Sequence, residues 1–194
     1  SDLARAARAA TADPRAGWRI ALDEATILDW LEDFAGAAAV AEDGWAALAD
    51  DPDAGLVARA ALALGRARYR AERLDALAAL LARAAAAAAD HDTAVIAQVL
   101  LAPALVYLGR LDEAERTYAA CVAQCERTGD LLHLGVTLVN RTALWSQRGE
   151  PARQAADARR AMALGRELGV PQLERAAAFD LAEHLHRSEE RRVG

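Results

Sequence analysis

The sequence predicts an all-α fold, and three observations support that prediction. Alanine and leucine dominate the hydrophobic residues, which make up 54% of the 194-residue chain, and alanine is the best helix former. Apolar residues recur at helical spacing, and most glycines and prolines lie between those segments. Related turn sequences also recur, about 37 and about 40 residues apart, which is typical of stacked helical hairpins. They are Glu72–Leu77, Gly109–Tyr118 and Gly149–Gln154.

Each helix can be placed from its pattern and its flanking residues. We expect short N-terminal helices over residues 1–11, 18–34 and 36–49, separated by Asp13-Pro14 and by Ala35-Gly36. Three pairs follow, at 55–70 with 74–89, 94–108 with 112–128, and 131–148 with 151–168. Asp53 is suited to cap a helix start, Pro151 to a first helical turn and Gly169 to a C-terminal cap. A last helix opens at Pro171 and ends before Ser188.

These pairs predict a repeat architecture. A hairpin this small cannot bury its apolar face alone, so the units must stack. We expect antiparallel hairpins stacked as a right-handed solenoid over residues 55–187, with divergent N-terminal helices or a cap over residues 1–54 and a charged tail at residues 188–194. A closed helical bundle, or a shorter array folded over its own N-terminal helices, remains an open alternative.

Charge and composition exclude several classes of protein. The net charge of −6 and pI near 5.3 lack the basic footprint of a nucleic-acid-binding protein. No apolar run is long enough to span a membrane, because the one that ends at Leu108 is short and contains Pro103. Cys121 and Cys125 lie four residues apart on one helix, which is poor geometry for a disulfide. We expect reduced core thiols, a cytoplasmic location, and, since the only methionine is Met162, a segment of a longer protein.

No motif for catalysis or for a cofactor is found. The sequence has no glycine-rich phosphate loop, no GxSxG and no HExxH. The two cysteines have no histidine at metal-ligand spacing, and Asp90-His91-Asp92 is interpreted as a helix cap. Glu183 and His186 have the spacing of a di-metal bundle, but no second such pair follows. We therefore expect a non-enzymatic protein with no cofactor and no bound metal.

The 94–128 hairpin carries a family resemblance. Leu101-Ala102 and Leu105 precede the turn at Gly109, and Ala114 and Tyr118 follow it four residues apart. In this pattern the chain resembles a tetratricopeptide repeat (TPR) protein over about residues 55–187. Its longer period is similar to that of the TPR-like regions of large bacterial regulators and signalling ATPases. The resemblance implies a superhelix whose first helices line a concave groove.

The register implied by the resemblance assigns residues to that groove. They grade from basic, through apolar, to polar and acidic. The groove residues are Arg59, Arg66, Tyr69, Arg70, Ile96, Val99, Val106, Asn140, Gln147, Asp180 and Glu183.

Three of these residues carry the chemistry of the prediction. Arg59, Arg66 and Arg70 share one helix face and are suited to hold a carboxylate or phosphate. The alternative is a solvated face whose arginines pair with Asp or Glu. In the same way, the Asn140 amide is suited either to a peptide backbone or to an internal hydrogen bond.

Two further features point to buried or bound surfaces. The helix of residues 94–108 is apolar all round, so the N-terminal helices, a second subunit or a ligand must cover it. The four tryptophans, at 18, 30, 45 and 145, are expected in the core or between hairpins, although an exposed one could anchor a partner.

From these observations we expect a protein–protein interaction domain of a bacterial regulatory or signalling protein. Its groove would bind a protein partner through a peptide or a helix, and we expect neither nucleic acid nor membrane as a partner. A small-molecule sensor domain of a transcriptional regulator is one alternative, which requires an enclosed pocket near Val99, Val106 and Tyr107. A homodimerisation module is the other.

Overall fold

The computed structural model describes the chain except residues 1–5, 7–8, 71–73 and 194, and except the side chains of residues 70, 75 and 183–193. The described residues form nine α-helices and no strand, so the chain is all-α as predicted. The helices are α1 (Pro14–Trp30), α2 (Phe34–Leu48), α3 (Ala54–Arg70), α4 (Leu74–Ala87), α5 (His91–Tyr107), α6 (Leu111–Thr128), α7 (Leu131–Arg148), α8 (Pro151–Leu168) and α9 (Pro171–Val193).

The chain divides into two compact units, Ser1–Leu100 and Leu101–Gly194, so the boundary falls within α5. In unit 1, α1 packs on α2, α2 on α3 and α3 on α4, and α1 also contacts α3. Leu22, Leu48 and Leu56 form a buried core against which Trp18 and Trp45 pack. Unit 1 is therefore a stack of antiparallel helices in which the first helices of successive hairpins meet.

Unit 2 repeats the same packing. Helix α6 packs on α7, α7 on α8 and α8 on α9, and α7 also contacts α9. The helices approach closely where glycine faces a neighbour: a Cβ at Gly135 would lie 2.5 Å from Leu173 Cδ2, and one at Gly165 would lie 2.7 Å from the Glu174 backbone nitrogen. Both units therefore have a helical-repeat-like arrangement.

Glycines set the turns of unit 2 at regular intervals. Gly109, Gly129, Gly149 and Gly169 all have φ between 64° and 74°, the left-handed conformation that glycine adopts without strain. After each glycine, the next N–H donates to the carbonyl five residues earlier, as from Arg110 to Leu105 and from Glu150 to Trp145, both at 2.9 Å. This Schellman closure ends the helix and reverses the chain. A spacing of 20 between glycines gives hairpins of 40 residues.

Aspartates start many of the helices, and this moves several predicted boundaries. Helix α1 begins at Pro14 rather than at Trp18, because Asp13 accepts from the Arg15 N–H at 2.9 Å and proline suits the first turn. Helix α5 begins at His91 because Asp90 accepts from the Thr93 N–H at 2.8 Å. The interpretation of Asp90 as a helix cap is thereby confirmed.

The first hairpin turn lies earlier than the sequence predicted. Asp33 accepts from the Gly36 N–H at 3.0 Å, so Gly36 lies inside the first turn of α2. The chain reverses instead at Glu32, whose φ is 62°. A glutamate in the left-handed conformation gives no sequence signal for a turn.

Three further predictions, for the C-terminal helix, the N-terminal helix and the turn at Glu72-Arg73, have different outcomes. Helix α9 continues to Val193 instead of ending before Ser188. The predicted helix over residues 1–11 and the turn at Glu72-Arg73 lie largely outside the described residues. Among the residues described, no helix is both long and apolar enough to cross a lipid bilayer.

Candidate functional site

A cleft opens in unit 1 between α1, α3 and the first turns of α5, and it encloses a cavity of about 260 Å³. Its walls come from the first helices of three successive hairpins. Three predicted groove residues, Arg59, Arg66 and Ile96, are brought together there. The complete lining is Leu22, Asp23, Thr26, Arg59, Leu62, Ala63, Arg66, Asp92, Thr93 and Ile96.

Arg59 pairs with one acidic side chain of the cleft and acts electrostatically on Asp90 nearby. Its guanidinium donates to the Asp23 carboxylate of α1. Burial alone would raise the pKa of Asp90, but two hydrogen bonds from Thr93 and the charge of Arg59 outweigh it and lower that pKa. Because the Asp23 side chain is largely exposed, its ion pair is worth at most about 1 kcal/mol. A ligand carboxylate can therefore displace Asp23 at little cost.

Arg66 lies two turns further along α3 and is half-buried. Its Nη1 donates to the Thr26 Oγ1 of α1 at 3.3 Å. Tyr69, one turn further along the chain, is also half-buried, while the side chain of Arg70 lies outside the described residues. Arg59 and Arg66 therefore both have partners on α1. The partner of Arg59 is a carboxylate, as in the alternative of an arginine face that pairs with Asp or Glu.

The three predicted apolar groove residues differ in how far they are buried. Ile96 and Val99 are half-buried, but Val106 is only 4% exposed and offers no free surface. No residue from 94 to 106 is exposed, but six of these thirteen residues are only partly buried. Tyr107 is 73% exposed, so it does not line an enclosed pocket of the kind that the sensor alternative requires.

The predicted polar groove residues belong to unit 2. Asp180 of α9 accepts from the Thr142 Oγ1 of α7 at 2.8 Å, which links two first helices. The backbone carbonyl of Asn140 accepts from the Tyr118 hydroxyl at 2.9 Å, while the Asn140 side chain is half-buried and Gln147 is exposed. The side chain of Glu183 lies outside the described residues.

Sequence reasoning missed the α1 wall of the cleft. Leu22, Asp23 and Thr26 were assigned to a divergent cap, because the N-terminal helices lack the repeat signature. A usable signal was present: Leu22 and Thr26 lie four residues apart and therefore on one helix face. The α1 wall adds Asp23 to the lining, which together with Asp92 of α5 gives the cleft mixed charge around Arg59 and Arg66.

The cysteines are structural. Cys121 and Cys125 are free, fully buried on α6 and unbridged, as expected of core thiols. Burial raises the pKa of Cys121 and raises that of Cys125 to about 12, so neither thiol ionises near neutral pH. Among the described residues, no group of three or more His, Cys, Asp or Glu side chains is arranged to hold a metal ion.

Comparison with known proteins supports the fold. No protein-family model matches the chain. No curated protein matches it either. The chain is similar in structure to the crystal structure of BtubC (BKLC) from P. vanneervenii, with a TM-score of 0.68 over 99% of this chain and 86% of BtubC. At 18% sequence identity this likeness shows a shared helical fold and nothing about activity.

Proposed function

We propose that this chain is a non-enzymatic interaction domain of a regulatory or signalling protein, which binds a short peptide segment of a partner in the cleft of unit 1. The observation that carries the proposal is the lining of that cleft by the first helices of three hairpins. A concave surface shared by successive repeats is the usual binding surface of helical-repeat proteins.

The chemistry of the cleft favours a peptide with both charged and apolar side chains. Arg59 and Arg66 offer guanidinium donors to a carboxylate, and Asp92 offers an acceptor to a basic group or a backbone N–H. Ile96 is half-buried and supplies apolar contact, whereas Leu22 and Leu62 are buried in the walls of the cleft. A cavity of about 260 Å³ is below the usual range for drug-sized ligands, so one or two side chains of a peptide fit it better.

We further propose that the hairpins are TPR-like and stack as a right-handed solenoid. The helix-to-helix spacing of 20 residues and the contacts of α1 with α3 and of α7 with α9 support this architecture. It would display the first helices of each hairpin on one side, and the cleft would then form part of a longer groove.

The peptide-binding proposal can be tested by selecting short displayed random peptides on the full chain. The affinity of enriched peptides would then be measured by calorimetry for the wild type and for Arg66→Ala and Ile96→Ser. Loss of one charge-assisted contact or of one apolar contact is worth about 1.4 kcal/mol, so each substitution should weaken binding about tenfold.

Arg159→Ala provides the matched control, because Arg159 is an exposed arginine of unit 2. It removes the same charge and should leave affinity unchanged. The proposal fails if no peptide is enriched, or if enriched peptides bind the Arg66→Ala and Ile96→Ser variants as tightly as the wild type.

A further inference from the structure

An exposed apolar patch lies at the tip of the first hairpin, on residues that the cleft does not use. Trp30 is 80% exposed, Leu31 71% and Ile27 56%. Ile27, Trp30 and Leu31 follow each other at i, i+3 and i+4, so they share one face of the end of α1. Large apolar side chains grouped in this way mark interaction sites, whereas isolated ones do not.

The surroundings of the patch are acidic. Residues 20–58 contain ten Asp and Glu residues and no basic residue. Arginines from neighbouring segments pair with Asp23, Glu42, Asp51 and Asp53. At the tip itself, Glu32 and Asp33 are exposed, and no described arginine forms an ion pair with either of them. The patch therefore has an acidic rim with which no described arginine pairs, and in which Asp33 also caps α2 by accepting from the Gly36 N–H.

The backbone at Glu32 is a second and independent observation. Its φ is 62°, and Asp33 N–H donates to the Leu28 carbonyl at 2.9 Å, which is the same closure that glycines make in unit 2. At this position the chain carries a strained glutamate where glycine would fit without strain. Strain retained at an exposed turn is consistent with a requirement for that side chain in binding.

We infer that this surface docks a basic amphipathic helix of a partner protein. The apolar face of such a helix would cover Ile27, Trp30 and Leu31, and its flanking Lys or Arg residues would meet Glu32 and Asp33. A second copy of the chain fits less well, because it would bring the same acidic rims together. An anionic membrane would be repelled by the rim for the same reason.

The test uses the full chain and two synthetic helical peptides, one built from leucine and lysine with a single apolar face, the other with glutamate in place of lysine. Binding is followed by anisotropy of labelled peptide at physiological salt and by tryptophan emission, since Trp30 is the one exposed residue among the four tryptophans. We expect the lysine peptide to bind at least tenfold more tightly than the glutamate peptide and to shift tryptophan emission to shorter wavelength. Trp30→Ala with Leu31→Ala should weaken binding about tenfold and abolish the shift.

Glu32→Gly is the decisive variant, because it removes the charge while it relaxes the backbone. It should bind the lysine peptide about threefold more weakly although the protein remains folded. Glu167→Gln, which removes an exposed glutamate of unit 2, should bind like the wild type. Arg66→Ala and Ile96→Ser in the cleft should also leave this affinity unchanged, which separates this inference from the proposed function.

Several results would overturn the inference. These are failure of the lysine peptide to bind, equal binding of both peptides, and unchanged binding by the Trp30→Ala, Leu31→Ala double variant. Sedimentation that shows a wild-type dimer which the double variant makes monomeric would assign the patch to self-association instead. Binding to anionic lipid vesicles that depends on Trp30 and Leu31 would assign it to a membrane.

Discussion

At the scale of single residues, the most constrained polar group of unit 2 is Asp157. This buried carboxylate accepts from Arg141 Nε and Nη2 at 2.7 and 2.8 Å and from Trp145 Nε1 at 2.6 Å. Arg153 lies 3.7 Å from the centroid of the Trp145 ring. A carboxylate with three donors fixes the orientation of the largest side chain in the core of the unit, so α7 and α8 can pack in only one register.

We predict that Asp157→Ala lowers the free energy of unfolding by about 3 kcal/mol, because it leaves the half-buried Arg141 and the Trp145 N–H without an acceptor. Asp157→Asn should cost about half as much, since an amide oxygen still accepts one bond. The measurement is urea unfolding followed by circular dichroism. Asp112→Asn, which removes an 83% exposed partner of Arg148, should cost less than about 0.5 kcal/mol. Equal losses for Asp157→Ala and Asp112→Asn would contradict this account.

At the scale of elements, the turns show how one backbone closure is built from different residues. Gly109, Gly129, Gly149 and Gly169 adopt φ near 70° without strain, whereas Glu32 reaches φ of 62° with a full side chain. A Cβ added at Gly149 would meet no atom within 4 Å. The two positions therefore differ in backbone strain and not in packing.

That difference predicts opposite effects for two reciprocal substitutions. Glu32→Gly should stabilise the chain by about 0.5–1 kcal/mol, because relief of the left-handed strain exceeds the greater unfolded-state entropy of glycine. Gly149→Ala should destabilise it by a similar amount. Thermal unfolding of the two variants and the wild type, at one concentration and one pH, gives both values. A Glu32→Gly variant that unfolds below the wild type would refute the assignment of strain.

The same contrast explains how far the sequence could predict the elements and the site. The turns at Gly109 and Gly149 were predicted because glycine is the residue that adopts this conformation most readily, and Glu32 was missed because glutamate carries no such signal. Arg59, Arg66 and Ile96 were assigned to one surface from the register that the resemblance to TPR proteins implies. Burial of the 94–108 helix was expected because the helix is apolar all round, but which element covers Val106 could not be predicted, since such a helix has no preferred face.

At the scale of the whole molecule, stability depends on close packing more than on its many ion pairs. The pairs of Arg153 with Glu115 and of Arg160 with Glu126, which link α6 and α8, are largely exposed and contribute at most about 1 kcal/mol each. The buried positions are mainly alanine, leucine and valine, joined by the two thiols of α6. The thiols make this core sensitive to alkaline pH, because burial raises their pKa in the folded state above the ordinary value of 9.0.

Thiol burial therefore predicts a loss of stability at high pH. Desolvation raises the pKa of Cys125 from an ordinary value of 9.0 to about 12, so the folded state keeps a proton that the unfolded chain releases from about pH 9. Because the unfolded state then binds fewer protons, the free energy of unfolding falls as pH rises from about 9 to 12, by up to about 1.4 kcal/mol per pH unit for this thiol. In Cys125→Ala the free energy of unfolding should fall less steeply with pH, by that amount. The lost packing lowers the stability of this variant equally at every pH. Tyrosine ionisation contributes equally to both proteins. Urea unfolding of the wild type and of Cys125→Ala at several pH values in this range measures the two slopes. Parallel curves would show that Cys125 ionises without opening the core.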